Sequence, residues 1–310
     1  MRKPTRTQIV IVLVALIVIV VIAEVIIQLQ TRRLVLATAT GPWDSGLLSY
    51  LLPTFETKYG VKVDVVHVGT GQAIQDAQNG GADLVLVNSK ELELAFNNTG
   101  YGFHRIGIMY NNFFIVGPHN DPAGIKGLTN ATEAFRRIKT AGDAGNATFV
   151  SRADKSGTNT LELKIWSLLG IVPRNTTYSW YREKTAGMGD ALEICNREQA
   201  YTLTDSGTWY SFSDQLPNLE ALVKNDLTNI LLNPYSMMLV NPAKYPNRNY
   251  LDALRFVKFV VSEAEQNIIR EFKKYGYTLF TPIARDIATA IVLGYPTQQT
   301  ELEWYLAQPT

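Results

Sequence analysis

Three short stretches place glycine beside serine or threonine where an apolar run gives way to a helix-like one. They are "TATGPWDSG" at 38–46, "VGTGQ" at 68–72 and "SRADKSGT" at 151–158; a fourth, "LTDSGT" at 203–208, repeats Ser-Gly-Thr. A strand that ends this way and feeds a helix leaves first-turn N–H groups without acceptors, a corner that attracts anions. Glycine lets the backbone come close, and hydroxyls add donors without bulk. Arg152 adds a fixed charge that can fork onto an oxyanion. Taken singly, each stretch also reads as ordinary helix capping, and Arg152 as an ion-pair partner of Asp154. Their recurrence in both halves of the chain favours one shared anion site.

Turnover has little support. His67, His104 and His119 lack metal-ligand spacing, and Cys195, the single cysteine, has no histidine near it in sequence. "GTGQA" lacks the lysine of a phosphate-binding loop, and no G-x-S-x-G elbow occurs. Ser156 has no indicated general base. Donors without acid–base partners suit binding, so no enzyme, cofactor or metal is expected. A formal charge of +1 over 310 residues argues against a nucleic-acid partner. The lone thiol excludes an internal disulfide and reads as a small core filler.

The elements that must position these corners alternate in type. "LVLAT" reads as a strand, "SGLLSYLLPTFETKYG" as a helix, "VKVDVVHVG" as a strand, "QAIQDAQNGG" as a helix and "ADLVLVN" as a strand. This βαβαβ order predicts parallel strands with right-handed crossovers and the β-to-α turns gathered at one edge, where open α/β sheets bind ligands. "RIGIMYNNFFIVGP" predicts a long strand passing into a second lobe, "NPYSMMLVNP" predicts the return, and the region 250–272 is helical in the first lobe. We expect residues 34–112 to begin lobe I, 113–235 to form lobe II and 236–310 to complete lobe I with a C-terminal extension. The final "PTQQTELEWYLAQPT" carries no legible role.

The N-terminus, 1–33, is basic in "MRKPTRTQ" and then apolar from Ile9 to Ala23. No small-residue cleavage site stands out, which predicts an uncleaved transmembrane anchor through residues 9–28 and soluble lobes outside the cytoplasm. Asn97, Asn130, Asn146 and Asn175 open Asn-x-Thr sequons, candidates for glycosylation there.

In order, "DSGLLSYLLPTFETKYGVKVDVVHVGTGQA", "ADLVLVN", "GYGFHRIGIMYNNFFIVGPHNDPAGIKGL", "FVSRADKSGT", "AYTLTDSGTWY" and "LLNPYSMMLVNP" resemble the extracytoplasmic tungstate-binding proteins of ABC transporters. These are the Tup type, within the type II periplasmic-binding-protein fold, and the resemblance runs from about Leu34 to about Pro282. It implies two α/β lobes closing on a tetrahedral oxyanion that a permease and ATPase import. The family opens with Thr-Thr-Thr-Ser where this chain has Thr38, Ala39, Thr40 and Gly41, so two hydroxyls are absent. Carried onto this chain, the ligand-binding set is Thr38, Thr40, Gly41, Thr70 and Gly71 from lobe I. Lobe II supplies Ser151, Arg152, Ser156, Gly157 and Thr158. Molybdate remains open beside tungstate. The alternatives are a phosphate or sulfate receptor of the same fold, phosphate being favoured if Asp44, Asp154 or Asp205 faces the ligand, or a non-transport surface protein reusing it.

Overall fold

The computed structural model describes residues 32–309, together with residue 13 and residues 15–20. Most of the expected membrane segment lies outside the described residues. Residues 13 and 15–20 are helical and exposed, and among the described residues no helix is long and apolar enough to cross a membrane.

From the first described strand the chain runs β1 (Arg32–Ala39), α1 (Thr40–Asp44), α2 (Leu47–Tyr59), β2 (Val61–Val68), α3 (Thr70–Gln78), β3 (Leu84–Val87) and α4 (Lys90–Asn98). Helix α2 forms because Leu47, Leu48, Leu51, Leu52 and Phe55 recur at helical spacing and are all buried, and it stops at Gly60, whose φ of 63° suits a residue without Cβ. Strand β1 lies parallel to both β2 and β3, as the alternation predicts. The C-terminal ends of all three strands therefore share one edge, and Thr40, Thr70 and Asn88 follow there.

Strand β4 (Gly102–Pro118) is 17 residues long and changes partners along its length. The elements beyond it are α5 (Ala131–Asp143), β5 (Phe149–Ser151), α6 (Gly157–Leu168), β6 (Tyr181–Glu183), α7 (Met188–Glu198), β7 (Thr202–Asp205), α8 (Ser206–Phe212), β8 (Leu219–Val223) and β9 (Leu232–Val240). Up to Asn112, β4 pairs antiparallel with β9; from Phe113 it pairs with β7 and then β8. The register sets Asn111 opposite Asn233 and Phe113 opposite Asp205, so polar residues from both parts of the sheet meet where the partner changes. Apolar cores lie on either side of this crossing. One holds Leu36, Phe55 and Phe256, and another holds Phe135, Phe149 and Trp166. Cys195 is buried with Met188 and Leu192, a core residue whose thiol is pushed up by burial.

The chain closes with α9 (Tyr250–Val260), α10 (Glu263–Glu271), the two-residue strands β10 (Lys273–Lys274), β11 (Tyr277–Thr278) and β12 (Thr281–Pro282), and helices α11 (Ile287–Val292) and α12 (Gln298–Ala307). The illegible C-terminal stretch is α12, and it braces the back of β4. Buried Gln298 accepts from the Gly107 N–H at 2.8 Å and donates to the carbonyls of Gly107 at 2.8 Å and Ala284 at 3.1 Å. The Trp304 ring stacks on His104, and the Tyr305 hydroxyl donates to the His104 carbonyl at 2.7 Å.

Candidate anion-binding site

A small cavity sits at the shared strand edge, about 10 Å3, or about one water-sized sphere. One side is walled by Ala39, Thr40, Gly41 and Asn88, the other by Arg152, Ser156, Gly157, Thr158 and Asp205, with Tyr235 of β9 between them. The two sides touch through glycines. The Gly71 N–H donates to the Lys155 carbonyl at 3.1 Å. A Cβ would fall 2.9 Å from the Asp154 carbonyl oxygen at Gly69, 2.9 Å from that of Lys155 at Gly71, and 2.3 Å from Asn88 Oδ1 at Gly157. None of those positions has room for a side chain, so the absence of one is what lets the walls meet.

Arg152 is 3 % exposed and heavily engaged. Its Nε donates to the Ala186 carbonyl at 3.2 Å, Nη1 to Thr158 Oγ1 at 3.5 Å and Nη2 to Asp154 Oδ2 at 2.6 Å. The Asp154 ion pair anticipated as the alternative role is thus present. Of the five N–H groups of a guanidinium, two stay uncommitted beside the cavity. The loop after Arg152 takes left-handed backbone at Ala153 (φ 47°) and Lys155 (φ 58°), at a cost of roughly 1–2 kcal/mol per residue. Side chains hold it in place: Ser151 Oγ accepts from Ala153 N, Asp154 Oδ1 from Ser156 N and Asn159 Oδ1 from Lys155 N. Ser156 then caps α6 by accepting from Asn159 N at 3.1 Å. The first-turn N–H groups of Gly157 and Thr158 have no intrahelical acceptor and lie at the cavity. Thr40 Oγ1, on the opposite wall, has no partner among the described residues.

Behind the cavity runs a directed chain of amides. Thr70 Oγ1 donates to Asn88 Oδ1 at 2.6 Å, and Asn88 Nδ2 donates to Asn233 Oδ1 at 2.9 Å. Asn233 Nδ2 donates both to Asn111 Oδ1 at 2.8 Å and to Tyr235 Oη at 3.0 Å. Asn111 Nδ2 reaches Asp205 Oδ1 at 3.3 Å. Asp205 also caps α8, accepting from Thr208 N at 2.9 Å and Thr208 Oγ1 at 2.7 Å.

Of the ten residues expected to bind, Thr40, Gly41, Arg152, Ser156, Gly157 and Thr158 line this cavity. The other four sit elsewhere. Thr38 is fully buried and donates to the Leu86 carbonyl at 3.0 Å, spending its hydroxyl on the neighbouring strand. Ser151 is fully buried and donates to Glu162 Oε2 at 2.6 Å. Thr70 acts through Asn88, and Gly71 makes the wall-to-wall bond. Sequence reasoning missed Ala39, Asn88 and Tyr235 as lining residues, and placed Asp205 only near the loops. Asn88 ends "ADLVLVN" and Tyr235 lies in "LLNPYSMMLVNP", so both were inside recognised motifs without a visible role. Asp44 stands close by and is pushed up to about 6, by burial first and the Asp205 carboxylate next, with Arg152 and a backbone bond from Gly189 opposing. Glu162, buried beneath the Arg152 loop, is pushed up to about 7 by burial, against the hydrogen bonds of Ser151, Tyr181, Asn159 and Trp166.

Comparison with known proteins identifies the family. The PBP superfamily domain matches residues 27–264. The tungstate-binding protein TupA of Peptoclostridium acidaminophilum is 42% identical over 255 residues, 81% of this chain and 86% of that one. Among solved structures, the tungstate ABC transporter protein of Geobacter sulfurreducens is 42% identical with a TM-score of 0.68, covering 77% of this chain and 98% of its own. TupA of Desulfovibrio alaskensis is 37% identical with a TM-score of 0.65, covering 81% and 98%. With its strand order, its glycine-lined cleft and these relatives together, the chain belongs to the PBP superfamily and, within it, to the TupA family of substrate-binding proteins.

Proposed function

We propose that this protein is the extracytoplasmic receptor of an ABC importer and that it binds tungstate, with molybdate as the close competitor, and hands it to a permease and ATPase. The observation that carries this reading is the cavity's imbalance of donors over acceptors. Arg152 offers two uncommitted N–H groups, Gly157 and Thr158 offer first-turn N–H groups and Thr40 offers a free hydroxyl, all on a small water-poor surface. A fully deprotonated tetrahedral dianion accepts at every oxygen and satisfies such a set; charge-assisted bonds to it are the strong ones. The relatives' ligand points to the same class of anion. Residues 9–28 anchor the receptor in the membrane in this reading, supported by the basic-then-apolar order of the N-terminus. Glycosylation is part of it at Asn130, Asn146 and Asn175, which are exposed, more than at half-buried Asn97.

One observation favours a second reading, a phosphate receptor. Asp205 lies on the cavity wall, and its three protein donors leave about one of a carboxylate's roughly four acceptor sites open, enough to take the proton of hydrogen phosphate. Calorimetric titration of the purified protein with tungstate, molybdate, sulfate and phosphate separates the two. Tightest binding of tungstate or molybdate is expected; tightest binding of phosphate would overturn the tungstate reading in favour of the second.

A further inference from the structure

Tyr235 is the one aromatic residue on the cavity wall, and its hydroxyl is constrained from behind. The oxygen already receives a proton from Asn233 Nδ2 at 3.0 Å. Asn233 cannot turn to accept instead, because its Oδ1 takes the Asn88 amide at 2.9 Å and its other amide proton goes to Asn111 Oδ1 at 2.8 Å. Asn111 is fixed in turn, because its Nδ2 faces the acceptor-only Asp205 carboxylate at 3.3 Å, which leaves its Oδ1 to accept from Asn233. The phenol proton therefore has to leave the network, and no other partner meets Tyr235 Oη among the described residues. Burial raises the phenol well above its ordinary value, so the proton is retained.

The same oxygen explains the glycine facing it. Gly41 has ordinary backbone torsions that any residue could adopt, yet a Cβ there would fall 2.6 Å from Tyr235 Oη. The next nearest atoms, of the Asp205 carboxylate, would be 3.5 Å away, an ordinary contact. Position 41 and the Tyr235 hydroxyl thus compete for one corner of the site.

Resting on the oxyanion reading above, we propose that the Tyr235 hydroxyl is a ligand donor occupying the corner a side chain at position 41 would fill, and that the Asn88–Asn233–Asn111 amides oblige it to donate into the cavity. That corner then accepts only an unprotonated oxygen. The donor arrives from the crossing strand β9 and not from the β1–α1 turn, so it is carried on the element shared by both walls.

The test is calorimetry of the purified full-length protein with sodium tungstate, and with sodium phosphate in parallel, for wild type, Tyr235→Phe, Gly41→Ser and Gly41→Ser/Tyr235→Phe, with melting curves as folding controls. A hydrogen bond to a charged partner predicts a loss of about 10- to 100-fold in Tyr235→Phe without a matching fall in melting temperature. Gly41→Ser alone loses at least as much, because its side chain meets the phenol. The double variant recovers to within a few-fold of wild type, since the serine hydroxyl enters the corner the phenol has left. Wild-type affinity in Tyr235→Phe, or a double variant no better than the worse single one, overturns the proposal. If wild type binds phosphate in preference to tungstate, the tungstate reading fails by itself and the same variants decide the role of Tyr235 on phosphate. If wild type binds neither anion, both fall.

Discussion

Replacing Arg152 with alanine removes the one guanidinium on the cavity wall, and the structure sets the size of the effect. Two of its five N–H groups are uncommitted, and hydrogen bonds to charged groups contribute about 1.5–3 kcal/mol each, so the loss is at least about 3 kcal/mol. The substitution also strands Asp154, whose carboxylate is 11 % exposed and sits 2.6 Å from the guanidinium, leaving a bare negative charge near the incoming anion. Together these predict a weakening of roughly 1,000-fold or more. Adding Asp154→Asn keeps the Oδ1 acceptor for the Ser156 N–H while removing the stranded charge, so the double variant should regain about tenfold. Arg152→Lys should recover only part, because an ammonium cannot fork. Titration calorimetry with tungstate at pH 8, well above the value of about 6 at which burial holds Asp44 in the wild-type protein, measures wild type and the three variants under one condition. Unchanged tungstate affinity in Arg152→Ala, accompanied by a lowered melting temperature, would show that the arginine exists for Asp154 alone and would refute the assignment of the cavity.

Gly157→Ala should weaken anion binding by at least tenfold while the unliganded protein melts near the wild-type temperature, since its new methyl would lie 2.3 Å from Asn88 Oδ1 and hold the walls apart; small-angle scattering with ligand should show the larger radius. Asp44, held near 6, is ionised above that pH and repels the anion, so affinity should strengthen as pH falls from 7.5 to 5.5 and Asp44→Asn should flatten the profile. Because its native pKa is raised, the stability it contributes is present at low pH and lost as pH rises through about 6, so the unliganded protein should melt lower at pH 7.5 than at pH 5 by an amount Asp44→Asn reduces. Gln298→Ala orphans one buried N–H and two carbonyls, which should lower the melting temperature by on the order of 5–10 °C and leave tungstate affinity unchanged.

The sequence made the frame of the cleft legible because periodicity is a local signal. "LVLAT", "VKVDVVHVG" and "ADLVLVN" became the parallel strands β1, β2 and β3, and "RIGIMYNNFFIVGP" falls within the long β4. The β-to-α corners gather at one edge of the sheet, as the βαβαβ order predicts. What sequence could not resolve is the direction of a hydroxyl. Thr38 and Thr40 are two residues apart, yet one bonds a neighbouring strand and the other faces the cavity. Ser151 and Ser156 differ in the same way, the first bonded to Glu162 and the second on the wall. The amides behind the cavity were harder still. Asn88 and Asn233 are 145 residues apart and Asn111 and Asn233 are 122 apart, and only the registers of β3 and β4 against β9 bring them together. One contribution of the C-terminal helix, Gln298 bonding main-chain atoms of Gly107, was illegible because the match depends on backbone geometry and leaves no mark in composition.

The tight seam around the cavity has a kinetic consequence. Gly69, Gly71 and Gly157 are each pressed against atoms of the opposite wall, so the seam closes the cleft along that line. Where escape runs through the seam, the dissociation rate cannot exceed the rate of opening. Two anions that differ in how well they fill the site then differ in how deeply they stabilise the shut state, and so in how often the walls part around them. Residence time is set by that grip, and a docked transporter that pulls the walls apart would set the pace of unloading.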